Sequence, residues 1–133
     1  PFRYWSSLGL PDQGHIAVVA SVDEVPTEFI IDTGYGMDLV IPASLLDSER
    51  WRGKLVDDGA QEVETLSGVY ALPRKRFTGR LTIAGREYTD LRAVIDTSTP
   101  PRSMNVRPVL GAPFLNRFDR FVIDFDDRRV LLD

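Results

Sequence analysis

The sequence predicts a mostly β, single-lobed domain with a closed, barrel-like core and one short helix near its C-terminal end. Short runs rich in β-branched residues recur between turn-forming clusters, as in HIAVVASV (His15–Val22) and EFIID (Glu28–Asp32). Phe77, Gly79, Leu81 and Ile83 alternate with Thr78, Arg80 and Thr82, the period of a strand with one face inward. A short helix is expected from Ala112 or Pro113 to about Phe118, with proline in the first turn where a missing N–H is harmless. Many short strands and one short helix favour a barrel-like arrangement.

Along the chain, Pro1–Gly14 mixes aromatic and turn residues without a period and is an N-terminal segment and candidate dimer contact; residues 15–133 form the domain proper. Asp23-Glu24-Val25-Pro26 turns the chain between the first two strands, and Leu39–Ile41 is a short strand stopped by Pro42. ASLLDSERW (Ala43–Trp51) suits one or two helical turns, with Trp51 among charges covering a core edge. Arg74-Lys75-Arg76 follows a proline and reads as a solvated loop or strand edge, Ala84-Gly85-Arg86-Glu87 as a turn, and Thr99-Pro100-Pro101-Arg102 as a loop. FVIDFDDRRVLLD closes the chain as two strands about Asp126-Asp127-Arg128.

Composition narrows the chemistry. The chain has 133 residues, 43% apolar and 27% charged, enough for one domain with a real core. It has no cysteine, which excludes disulfides and thiolate metal sites, and a single histidine, His15, too few for a histidine metal site. His15 precedes a strand and reads as a surface or capping residue, so acid–base work falls to the carboxylates. The net charge of −4 and interspersed signs speak against a nucleic-acid footprint. No apolar run reaches the roughly 20 residues of a membrane span. Starting at Pro1 without an initiator methionine, the chain reads as an excised or processed fragment. No cofactor or metal is implied.

The sharpest motif is FIIDTGYGMDLVIP, Phe29–Pro42. Three apolar residues deliver Asp32 to a strand end; Gly34 lets the backbone turn beside the carboxylate, and Thr33 supplies a hydroxyl to hold the loop. Asp-Thr-Gly is also an ordinary turn sequence, so its surroundings matter. Downstream stand Val109-Leu110-Gly111 and then APFLNRF.

With Ile30-Ile31 before Asp32-Thr33-Gly34, Leu39-Val40-Ile41 after it, and Val109-Leu110-Gly111 ahead of a short helix, the chain resembles the retropepsin-like, single-lobed aspartic proteases, in particular bacterial members. The resemblance spans roughly His15–Leu132. It implies the acid protease fold and an endopeptidase in which two chains pair about a two-fold axis, so that Asp32 and its symmetry mate activate a water between them. It casts Asp32, Thr33 and Gly34 as catalytic residues, and Tyr35, Gly36, Asp38, Ser67 and Gly68 as substrate-binding. Ser67-Gly68 would be the tip of a flap within TLSGVYAL (Thr65–Leu72). Tyr35 departs from the family, which has a small residue there. The implied partners are a second copy of the chain and a peptide or protein substrate, with the apolar VLLD terminus and Phe2, Tyr4 and Trp5 as candidate anchors.

Asp96-Thr97-Ser98 lacks the glycine, and its distance from Asp32 leaves no room for a second lobe, so Asp96 reads as a strand end. Two other readings stand beside the endopeptidase: a non-catalytic dimerisation or peptide-binding module of the same fold, and a small β-barrel ligand or nucleic-acid binder. The acidic balance disfavours the last.

Overall fold

In the computed structural model, residues 2–6, 14–65, 68–97, 106–124, 126–127 and 129–133 are described. The β-branched run folds back on itself as β2 (Gly14–Val22) and β3 (Val25–Ile31), which pair antiparallel from Ile16↔Ile31 to Val22↔Val25. The turn is therefore only Asp23-Glu24, tighter than the four residues expected, and both take positive φ (45° and 72°). This is the mirror-image turn whose twist matches that of the flanking strands. Asp23 also ties it down: its carboxylate accepts the Arg80 N–H at 2.8 Å and meets Lys54 Nζ at 2.9 Å. Before β2, β1 (Phe2–Ser6) pairs with residues 14–18, so part of the segment without a visible period is a strand, its order supplied by the partner ladder.

After β3 come β4 (Leu39–Pro42) and a single 3-10 turn (Ala43–Leu45), shorter than the helical turns expected. The long hairpin β5 (Leu55–Thr65) and β6 (Gly68–Phe77) follows, then β7 (Leu81–Ile83) and β8 (Arg86–Tyr88). The chain continues through β9 (Leu91–Asp96), β10 (Val109–Leu110), helix α1 (Ala112–Leu115), β11 (Phe121–Asp124) and β12 (Arg129–Leu132). The loop expected at Thr99–Arg102 and the side chain of His15 lie outside the described residues.

Ten strands form one sheet in the order β5-β6-β9-β4-β10-β3-β2-β7-β8, with β1 also on β2, and β11–β12 form a second, two-stranded sheet. The large sheet curls but does not close, which corrects the closed barrel. Phe77 of β6 and Leu81 of β7 stand near opposite ends of the strand order yet share one buried cluster, so the sheet must wrap around it. Closure would require β5 to pair with β8; β5 instead runs along a groove, described below.

The core contains Trp51, only 1% exposed, packed edge-on against Phe29 (centroids 6.2 Å) and Phe77 (5.5 Å). It plugs the middle rather than covering an edge, despite polar neighbours, because the turn from Leu45 to Trp51, bonded through Ser48, aims it inward. Apolar burial of this kind is the main stabilising term. Helix α1 is one turn long with Pro113 in it, and its buried Phe114 meets Tyr88 and Phe118.

The basic cluster is neither a loop nor an edge. Arg74, Lys75 and Arg76 lie inside β6, which pairs with both β5 and β9, and they form ion pairs with Asp58 and Asp57 of β5 and with Asp90 just before β9. Pro73 is tolerated because it sits where β6 leaves β9 and beside a register shift in β5 between Asp57 and Ala60. Beyond Pro73 the hairpin is a two-stranded arm. At the other end of the chain, Asp124 Oδ1 accepts the N–H groups of Asp126 and Asp127, making the expected turn. Val122 and Leu131 face each other on the open side of that sheet, 41% and 45% exposed. No helix among the described residues is long and apolar enough to cross a membrane.

Candidate active site

Two short apolar strands position Asp32. Ile30 and Ile31 pair in parallel with Val109 and Leu110, and the Asp32 N–H donates to the Leu110 carbonyl at 3.1 Å. β10 also pairs with Leu39 and Val40 on its other side, so both ends of the loop 32–38 are fastened to the same two residues. The loop is then clamped from below: the N–H of Gly111 donates to the Asp38 carbonyl and that of Ala112 to the Tyr35 carbonyl, each at 3.0 Å. Gly111 is needed for closeness, not for an unusual φ; a Cβ there would collide with the Met37 carbonyl oxygen. This explains why a glycine must follow Val109-Leu110.

Within the loop, the Asp32 side chain is exposed and its Oδ1 accepts the Gly34 N–H at 2.8 Å. A Cβ on Gly34 would come to 3.0 Å from that same oxygen, so the glycine keeps room beside the carboxylate. The bond fixes the orientation of the carboxylate and leaves its remaining lone pairs free to face open space.

Asp38 takes the opposite environment. It is 6% exposed, and its Oδ2 accepts the Arg92 N–H at 3.1 Å and Arg117 Nη2 at 3.3 Å. It therefore binds the loop to the start of β9 and the turn after α1, and it is absent from the groove where substrate contact had been expected.

The groove has a volume of about 770 Å³. Its floor is Asp32, Gly34, Tyr35, Gly36 and Met37 with Val40 and Val94, and its wall is Gln61, Glu62, Val63 and Glu64 of β5. The hairpin closes at Thr65↔Gly68, and Gly68 has φ +134°, a value that favours glycine. Ser67 lies outside the described residues, and neither Gly68 nor Thr33, which is exposed beside Asp32, lines the groove. Tyr35 is half-buried; burial first, then the charges of Asp96 and Asp32, pushes its phenol above the usual tyrosine range, so it stays a neutral hydrogen-bonding group. Asp96 ends β9, as expected from the sequence.

Four of the eight residues singled out from the sequence thus line one cavity: Asp32, Gly34, Tyr35 and Gly36. Sequence reasoning missed Met37, Val40, Val94 and the whole β5 wall. The only available signal for the wall was Val63 among polar neighbours.

No protein-family model matches the sequence, and no curated protein sequence does. Solved structures do match. A retropepsin-like aspartic protease from Rickettsia conorii aligns over 99% of this chain and 88% of its own, with a TM-score of 0.64 and 18% identity. The EIAV protease bound to the inhibitor HBY-793 aligns over 76% of this chain and 85% of its own (TM-score 0.53, 15% identity). The retroviral protease-like domain of Ddi1 from Leishmania major aligns over 90% and 88% (TM-score 0.53, 13% identity). At these identities the likeness is one of fold: the chain has the single-lobed fold of the retropepsin-like aspartic proteases.

Proposed function

For a chain with the retropepsin fold and one exposed carboxylate at a strand end, we propose an aspartic endopeptidase that works as a homodimer. The observation that supports it most is Asp32, held by the Gly34 N–H on the floor of a groove of about 770 Å³ walled by β5. One carboxylate is half of the machinery. Two Asp32 groups meeting across a two-fold axis cannot both ionise at contact distance, so they share a proton. The ionised member takes a proton from a water lying between them, and the protonated member polarises the peptide carbonyl that the water attacks.

In this reading Thr33, exposed at the loop tip, fastens the two loops to each other, and Gly34 leaves space for substrate backbone. The β5–β6 hairpin, which closes at Thr65↔Gly68, acts as the flap that covers the cleft. The exposed pair Val122 and Leu131 supplies apolar surface for the dimer close to the chain terminus. Among the described residues β5 ends the sheet, so its outer edge offers backbone groups to an extended peptide.

Tyr35 favours one second reading, a non-catalytic peptide-binding or dimerisation module, because its phenol occupies space beside Asp32. The experiment that separates the two measures mass in solution alongside cleavage of a peptide library across acid and neutral pH. An endopeptidase gives a species of twice 15.0 kDa and cleavage that vanishes in Asp32→Asn while the mass is unchanged. A dimer that cuts nothing at any pH leaves the module; a monomer at every concentration removes the dyad.

A further inference from the structure

The groove wall carries more information than an apolar slot. Successive side chains of a strand point to opposite faces, so four consecutive residues reach one cavity only if the cavity runs along the strand's edge. Gln61, Glu62, Val63 and Glu64 do this, and they belong to the end strand of the sheet. Gln61 and Val63 are part-buried, while Glu62 and Glu64, on the other face, are exposed.

The charges of the hairpin are unevenly matched. At its root Asp57 and Asp58 are answered by Lys75 and Arg74. On the arm, Glu62 and Glu64 form no ion pair among the described residues, and no lysine or arginine lines the groove. Among the described residues, the groove therefore combines a free strand edge, an apolar floor of Met37, Val40 and Val94, and two carboxylates without an ion pair, spaced two residues apart.

We propose that the preferred substrates are extended peptides in which apolar and basic residues alternate, a specificity that rests on the groove being the substrate cleft. A peptide pairing along β5 sends every second side chain to the face of Val63 and the floor, which suits apolar groups. The intervening side chains lie on the face of Glu62 and Glu64, where lysine or arginine forms opposite-charge cross-strand pairs. Like charges at those positions are repelled.

The test is binding of labelled peptides to Asp32→Asn, which removes turnover from the measurement. Three peptides suffice: one alternating valine and lysine, one alternating valine and glutamate, and one with the valines and lysines of the first regrouped into two blocks. The alternating lysine peptide binds roughly ten-fold tighter than the glutamate peptide at low salt, and the difference shrinks as salt rises. The block peptide, with equal charge, binds more weakly than the alternating one, and Glu62→Gln/Glu64→Gln abolishes the lysine preference. Equal binding of block and alternating peptides, a preference that survives the double variant, or no binding of any peptide overturns the proposal. Wild-type cleavage of the same peptides reports separately on the enzyme: indiscriminate cutting defeats only this specificity, and selective binding without cutting defeats only the catalysis.

Discussion

Asp32 and Asp38 bracket one loop and differ in almost every physical respect. Asp32 is exposed, with one backbone donor on its Oδ1; Asp38 is 6% exposed, with its Oδ2 held by Arg92 and Arg117. A carboxylate that does chemistry needs lone pairs open to water and substrate; Asp38 is shut away from both, its Oδ2 held by two donors and its Oδ1 buried without a partner among the described residues. Six positions apart, the same functional group supplies the exposed end of the loop and its buried anchor.

The comparison is broken most directly at Asp32. Asp32→Asn lowers cleavage by at least about 10³-fold, the scale of a lost general base, and leaves the urea unfolding midpoint in place. A variant that also loses stability would put Asp32 on the structural side with Asp38. Gly111→Ala attacks the clamp beneath both: its Cβ collides with the Met37 carbonyl, so unfolding free energy drops by about 3 kcal/mol and the loop moves. Asp38→Asn comes next. It keeps the shape but withdraws the charge from Arg117, lowering stability by about 2 kcal/mol, read by denaturant titration. Substrate affinity in the refolded fraction stays unchanged.

The smallest effect lies away from the loop and sharpens what a carboxylate contributes by architecture alone. The Arg80 N–H and the Lys54 ammonium hold the Asp23 carboxyl below its usual 3.8. The carboxylate's stabilisation is therefore complete above that value and fades as pH falls through the lower, folded one. Asp23→Asn, which keeps a side chain tolerant of the positive φ, is less stable than wild type by about 1 kcal/mol at neutral pH. The gap narrows as pH falls below 3.8 and through the lower, folded value in paired urea titrations.

The placement of Asp32 at an exposed strand end was legible because its cues are local: three apolar residues, then Asp-Thr-Gly, within one short window. The role of Asp38 was not, because its partners stand 54 and 79 positions away. The same limit hid Trp51, whose nearest neighbours in sequence are charged while its neighbours in space are Phe29 and Phe77. Arg74-Lys75-Arg76 read as a loop or edge because the strands that flank them, β5 and β9, are fixed only by pairing in space. Strand existence could be read from β-branched runs and alternation. The open sheet and the parallel pairings of β3 with β10 and β4 with β9 could not, since register is decided between distant segments.

β10 is only Val109 and Leu110, yet it threads between β3 and β4 and completes the seat of Asp32. During synthesis the aspartate leaves the ribosome long before those residues do, and such distant pairings form late. A nascent chain thus carries Asp32 on an unfinished support until Val109 and Leu110 dock between β3 and β4.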